Sequence, residues 1–164
     1  FICEYPSDVI LNGHCVVKLV DSNSNNDKDN NQITLLSFDR HLYTKKHTLV
    51  MKYVSVWNDD NNNDKNQNQN ETNKLKKLNE FNQLNKSNNY NQWIPLTDNH
   101  NNPIIIGRDQ DNYYGVRALV GGVNNNLLFI TYAANNISVF DLNTFQIIKN
   151  DILPTDDLIR YHCF

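Results

Sequence analysis

Leu127–Ile148, LLFITYAANNISVFDLNTFQII, decides the architecture of this chain. Its first six residues are apolar, β-branched or aromatic, a run that suits a strand and is too short for a helix. Ala133-Ala134-Asn135-Asn136 follows, and Asn tolerates the left-handed backbone of a tight hairpin. Ile137 and Val139 then alternate with Ser138, Phe140 and Leu142, placing apolar groups on both faces of a second strand. Asp141–Thr144 reads as another turn and Phe145–Ile148 as the returning strand. Upstream, Val116–Val120 supplies a further strand, closed by Gly121-Gly122 and Asn124–Asn126. Four antiparallel strands in about 35 residues form a meander of the size of one propeller blade. A lone meander has two faces to cover and cannot supply its own core.

A repeat is therefore expected, and the two ends of the chain match without a gap. Pro6-Ser7-Asp8 recurs as Pro154-Thr155-Asp156, and His14-Cys15-Val16 as His162-Cys163-Phe164, each pair 148 residues apart. A partial copy lies between them at Pro95-Leu96-Thr97-Asp98, with Tyr114-Gly115-Val116 opening the next strand. In the first unit, Gly13–Leu19, Ile33–Phe38 and Thr48–Trp57 read as strands. Leu49, Met51 and Tyr53 fall on one face of the last, Val50, Val54 and Val56 on the other. Gln92–Leu96 is the fourth strand, with Pro95 at its end, where proline is tolerated.

The organisation that follows has five parts. Residues 1–12 are a lead-in and the end of a preceding blade. Residues 13–96 are a first blade unit, interrupted by a polar insert at 58–91. Residues 97–112 are a loop, 113–153 a second blade unit, and 154–164 the start of a third. About two blades of an all-β fold require more sequence for a closed propeller, so the chain reads as a fragment. The Asn-rich, low-complexity insert cannot bury apolar surface. Leu75, Leu78, Phe81 and Leu84 are spaced by threes within it, but a helix this short is weak alone.

With these residues in view, the chain resembles the kelch repeat family, whose blades form the galactose-oxidase-type β-propeller. Ile33–Phe38, Met51–Trp57 and the Trp93 strand carry the likeness in unit one. Ile137–Phe145, ISVFDLNTF, carries it in unit two and resembles WD-repeat strands nearly as well. Asp39-Arg40 stands where the kelch pattern has paired glycines, and Gly121-Gly122 follows the first strand of its unit rather than the second. The resemblance implies a propeller used as an interaction scaffold, with loops presenting a binding surface.

The 164 residues carry a formal charge of −3, with no basic stripe of the kind that binds nucleic acid. No apolar run approaches the ~20 residues of a membrane helix. Three cysteines without close spacing fit a reducing, cytoplasmic setting better than a disulfide framework. No catalytic, cofactor-binding or metal-binding residue is assigned. His14-Cys15 and His162-Cys163 suit zinc by type, but neighbours on a strand point to opposite faces. Cys15 beside His14 or His47 lacks any sign of an activated thiol. Tyr113, Tyr114, Tyr132 and Tyr161 give no convergent set for copper, and Gly121-Gly122 lacks the Lys and helix of a phosphate loop. Asp8, Asp98 and Asp156-Asp157 follow each Pro lead-in, a recurrence expected of Asx-turns.

The function expected is a non-enzymatic, protein-binding adaptor or scaffold. Its surface would be formed by Asp39–His47 and Pro103–Tyr114, since loops on a rigid scaffold usually carry recognition. Arg108 and Arg117 are the first residues to test. The rivals are a propeller-based enzyme with its active site partly outside this sequence, and a degenerate paralogue without defined activity.

Overall fold

The computed structural model describes residues 4–11, 13–20, 32–40, 45–54 and 90–157. Among them every regular element is a strand, and the strands form two four-stranded antiparallel meanders. The first sheet takes β1 (Cys15–Leu19), β2 (Gln32–Asp39), β3 (His47–Val54) and β4 (Ile94–Pro95) in that spatial order. The second takes β5 (Arg117–Gly121), β6 (Leu127–Tyr132), β7 (Asn136–Asp141) and β8 (Gln146–Ile152).

Period-2 alternation sets the faces. In the first sheet Cys15 stands opposite Phe38 and Val17 opposite Leu36, so these four share a face. That face is buried against Leu128, Ile130, Tyr132 and Phe140 of the second sheet, in one core. Cα atoms of the two sheets come within 8 Å only between β1 and β5, so the sheets splay apart toward their outer strands. The segment between β4 and β5 fills the wedge with Ile106, Tyr113 and Val116, all but inaccessible to solvent. Burying one such side chain is worth roughly 1.5–3 kcal/mol.

The opposite face of the first sheet has its own core. Leu49, Met51 and Trp93 are buried there, with Tyr5, Val9, Leu35 and Tyr53 packed on them. The Tyr5 ring stacks on Trp93 at 4.9 Å, and its hydroxyl donates to Ser37 Oγ at 3.0 Å. The segment before β1 thus covers one face of the first sheet as the segment before β5 covers one face of the second. We call these two the near faces and their opposites the far faces.

Turn chemistry follows the sequence closely. Ala134 and Asn135 both take positive φ in the β6–β7 turn, whereas Asn136 already opens β7. Gly122 (φ 85°) and Asn125 (φ 52°) shape the β5–β6 turn, closed by Asn125 N–H donating to the Gly122 carbonyl. Asp141 Oδ1 accepts from Asn143 N–H in the last hairpin, and Phe145, expected to start the returning strand, sits instead in the turn at φ 56°. β8 begins one residue later and runs on to Ile152, with a bulge opposite Val139/Phe140.

The polar insert expected at 58–91 lies outside the described residues except for its last two. Tyr90 bridges Lys52, and Asn91 N–H donates to the Lys52 carbonyl. The Asn91 side chain then accepts from Val54 N–H and donates to the Val54 carbonyl, standing in for a strand residue beside β3. Leu75, Leu78, Phe81 and Leu84, and the Trp57 end of the expected third strand, also lie outside the described residues.

Candidate functional site

One end of the two sheets gathers most of the buried polar chemistry. It is formed by the last residues of β2 and β6, the first residues of β3, β5 and β7, and the segments before β1 and β5. Ladder pairing extends β2 through Asp39, whose cross-strand partner is His47. Asp39, Arg40 and His47 are 1%, 4% and 5% exposed, so the polar run that reads as an open connection in the sequence is interior at both ends. Residues 41–44 lie outside the described residues.

Asp39 and His47 share the near face of the first sheet with Ser37. Both Asp39 oxygens lack a hydrogen-bond partner among the described residues. Two imidazoles feel its charge. Burial pushes His47 below its ordinary pKa; Asp39 opposes that shift and His14 adds to it. Burial likewise lowers His14, with Asp39 again opposing and Arg117 adding. The Tyr5 ring meets His14 edge-on at 5.6 Å and His47 at 6.5 Å. Tyr5, His14, Asp39, His47 and Trp93 therefore form one packed aromatic and acidic cluster.

The second sheet answers with a polar chain whose groups are satisfied. Asp111 is 3% exposed and accepts from Arg108 N–H (2.8 Å), from the Arg108 guanidinium (2.8 Å) and from the Tyr132 hydroxyl (3.1 Å). Tyr132 Oη lies 3.0 Å from Ser138 Oγ, which donates to Asn150 Oδ1 at 2.7 Å. Hydrogen bonding to Asp111 raises the Arg108 pKa further, keeping the guanidinium charged. Burial raises the Tyr132 and Tyr113 hydroxyls, keeping both neutral.

The two loops expected to form a surface do meet. Tyr113 N–H donates to the Arg40 carbonyl, while Arg40 Nη2 and Lys46 Nζ both reach Asp109, at 2.6 and 3.1 Å. Lys46 and Arg40 hold the Asp109 carboxyl below its ordinary range. Asp109 is 95% exposed, so this charge cluster presents itself to solvent. Arg108 lies in the same patch, committed to Asp111, and Arg117 donates to the Val116 carbonyl at 2.7 Å.

The remaining candidates resolve individually. Cys15 is buried and its thiol is pushed up by burial, the reverse of what a nucleophile needs. Its neighbour His14 lies on the other face, as the alternation predicts. Among the described residues no three His, Cys, Asp or Glu side chains could hold one metal ion. Asp98 closes the expected Asx-turn, accepting from His100 N–H and Asn102 N–H. Asp8 instead pairs with Lys45, and in the third copy Thr155 Oγ1, not Asp156, accepts from Asp157 N–H. Tyr113 and Tyr132 come together at 4.9 Å in the core. Cys3, Arg160, Tyr161, His162 and Cys163 lie outside the described residues.

Lys46, Asp109 and Asp111 were not singled out individually by sequence reasoning, and Asp39 was read only as standing where the kelch pattern has a glycine. The only local signal is the three-residue spacing of Arg108 and Asp111; the other contacts join positions far apart in the chain. No described helix is long and apolar enough to cross a membrane. No protein family, curated protein or solved structure matches this chain.

Proposed function

We propose that the chain is a kelch-like β-propeller segment, each sheet a blade, acting as a non-enzymatic protein-binding module in the cytoplasm. One observation carries the reading. The segments beside Asp39–His47 and Pro103–Tyr114 converge at one end of a rigid two-sheet scaffold and expose Asp109, Lys46 and Arg108 there as a mixed-charge patch. Backbone pairing between Arg40 and Tyr113 fixes the two segments to each other, so a partner would meet a preorganised surface. The splay of the sheets from β1 and β5 outward supports the blade reading.

The enzyme alternative has one point in its favour, the convergence of His14, Asp39 and His47. That space is occupied by the Tyr5 ring stacked on Trp93, so the set is packed rather than open to a substrate.

The test is affinity capture with the full-length protein. Lys46→Glu with Asp109→Lys is compared with a control at the opposite end, Asn124→Ser with Asn125→Gly. The reading expects a partner retained by the native and control proteins and lost by the charge-reversed one. Equal retention by all three would move binding away from this end.

A further inference from the structure

The segment before β5 touches both sheets. Its Tyr113 ring lies 5.8 Å from Phe38 of the first and 4.9 Å from Tyr132 of the second, inside their shared core. One lead-in thus covers the far face of one sheet and the near face of the next. In the lead-in before β1, Tyr5 and Val9 pack on the near face of the first sheet, while Ile10 is 61% exposed and Leu11 41%. Two of its apolar side chains are therefore left over. The second sheet has the complementary surplus on its far face. Leu119, Phe129 and Val139 form one cross-strand row there, with Ile137 beside them. All four are half-buried and belong to neither core.

We infer that this far face is the seat of the chain's own residues 154–164, with Leu158 and Ile159 laid on the row of Leu119, Phe129 and Val139. The sequence supplies the occupant. The first lead-in, Pro6-Ser7-Asp8 through His14-Cys15-Val16, recurs directly after β8 as Pro154-Thr155-Asp156 through His162-Cys163-Phe164. The same offset of 148 residues sets Leu158-Ile159 at the positions of Ile10-Leu11, so the pair left over in the first copy is the pair offered to the far face in this one. Both lie outside the described residues, but the start of the copy is described and is tied to the second sheet. Leu153 N–H donates to the Asn135 carbonyl at 2.7 Å, and Asn135 Nδ2 donates to the Thr155 carbonyl at 3.0 Å. These bonds bring the segment back from the edge strand β8 to the β6–β7 turn. At that end of the far face Thr131, the cross-strand partner of Ile137, is only 2% exposed. The inference rests on the blade reading above but not on the binding patch at Asp109.

The experiment is site-specific photo-crosslinking in the full-length protein. p-Benzoylphenylalanine replaces Phe129, keeping an aromatic ring at a half-buried position, and mass spectrometry identifies the peptide it captures. A mixture of heavy-isotope-labelled and unlabelled protein separates capture within one chain from capture between chains. The expected product joins position 129 to the stretch 154–164 of the same chain. Leu158→Ser with Ile159→Ser should abolish that product while leaving the circular dichroism native. Ile159→Ala alone replaces the pair should the serines prevent folding, and should reduce the product. Capture of another chain, whether a second copy or a different protein, overturns the inference. So does capture of any other stretch of the same chain, capture of nothing, or a product that the variants leave unchanged. The blade reading is scored separately with the same probe at Ile104, half-buried against the shared core in the segment before β5, which should capture residues of both sheets. Failure at Ile104 removes the blade reading and the seat with it, whereas success there with failure at Phe129 loses the seat alone.

Discussion

The two sheets bury polar side chains at the same end in opposite ways. Beside the second sheet Asp111 is surrounded by donors, and close polar contacts run on through Tyr132 and Ser138 to Asn150. On the first, Asp39 is just as deeply buried and neither of its oxygens is hydrogen-bonded among the described residues. An unsatisfied buried polar group costs about 1–3 kcal/mol. The second cluster therefore stabilises its sheet through hydrogen bonds that Asp39 does not make with any described residue.

That contrast can be broken in several places. The largest effect belongs to the shared core: Phe38→Ala should cost about 3–5 kcal/mol, whereas Phe129→Ala, in neither core, should cost less than half as much. Urea melts that rank the two alike would mean both faces of the second sheet are equally packed. Next, Asp111→Ala strips the acceptor from Arg108 and Tyr132 and should cost about 1–3 kcal/mol. The same change at Asp39 removes no hydrogen bond to a described residue. Asp39→Ala should therefore lie within about 1 kcal/mol of native, a small core-edge change of the usual size. Equal losses at the two positions in chemical denaturation would erase the contrast.

A smaller effect is expected from pH. Burial holds the folded-state pKa values of His14 and His47 below their ordinary value. Unfolded chains then bind more protons than folded ones as pH falls through that ordinary value near 6.5, so stability should drop from pH 7 toward 5. His47→Asn should flatten this acid limb. An unchanged slope in thermal melts across that window would show that His47 does not titrate differently on folding. The smallest effect concerns residues 55–89. Removing half of them should change stability by about 0.6 kcal/mol, since loop closure grows only with the logarithm of length. A loss of several kcal/mol on calorimetry would mean the interval packs against a sheet.

The fold was legible where burial and local chemistry agree. Leu127–Tyr132 is a strand with the bounds its apolar run predicts, and Leu49 and Met51 share a face as alternation requires. Legibility failed where pairing, not burial, makes the strand. Lys149, Asn150 and Asp151 are exposed and polar, yet β8 includes them because β7 offers a ladder to complete. Asp39 and His47 mislead in the reverse sense: their polarity reads as a loop, but they are the closing pair of β2 and β3. The meeting of Arg40 and Lys46 with Asp109 spans more than sixty positions and leaves no local trace in sequence.

Asn91 offers a last consequence. By bonding its side chain to both backbone groups of Val54, it returns the chain to β3 at the place where it left. Departure and re-entry points this close leave no gap in the first sheet for the intervening residues to span. A foreign domain with adjacent termini could be spliced in there without drawing Val54 and Asn91 apart. Asn91 is in effect a hem that lets the fabric be let out without unpicking the garment.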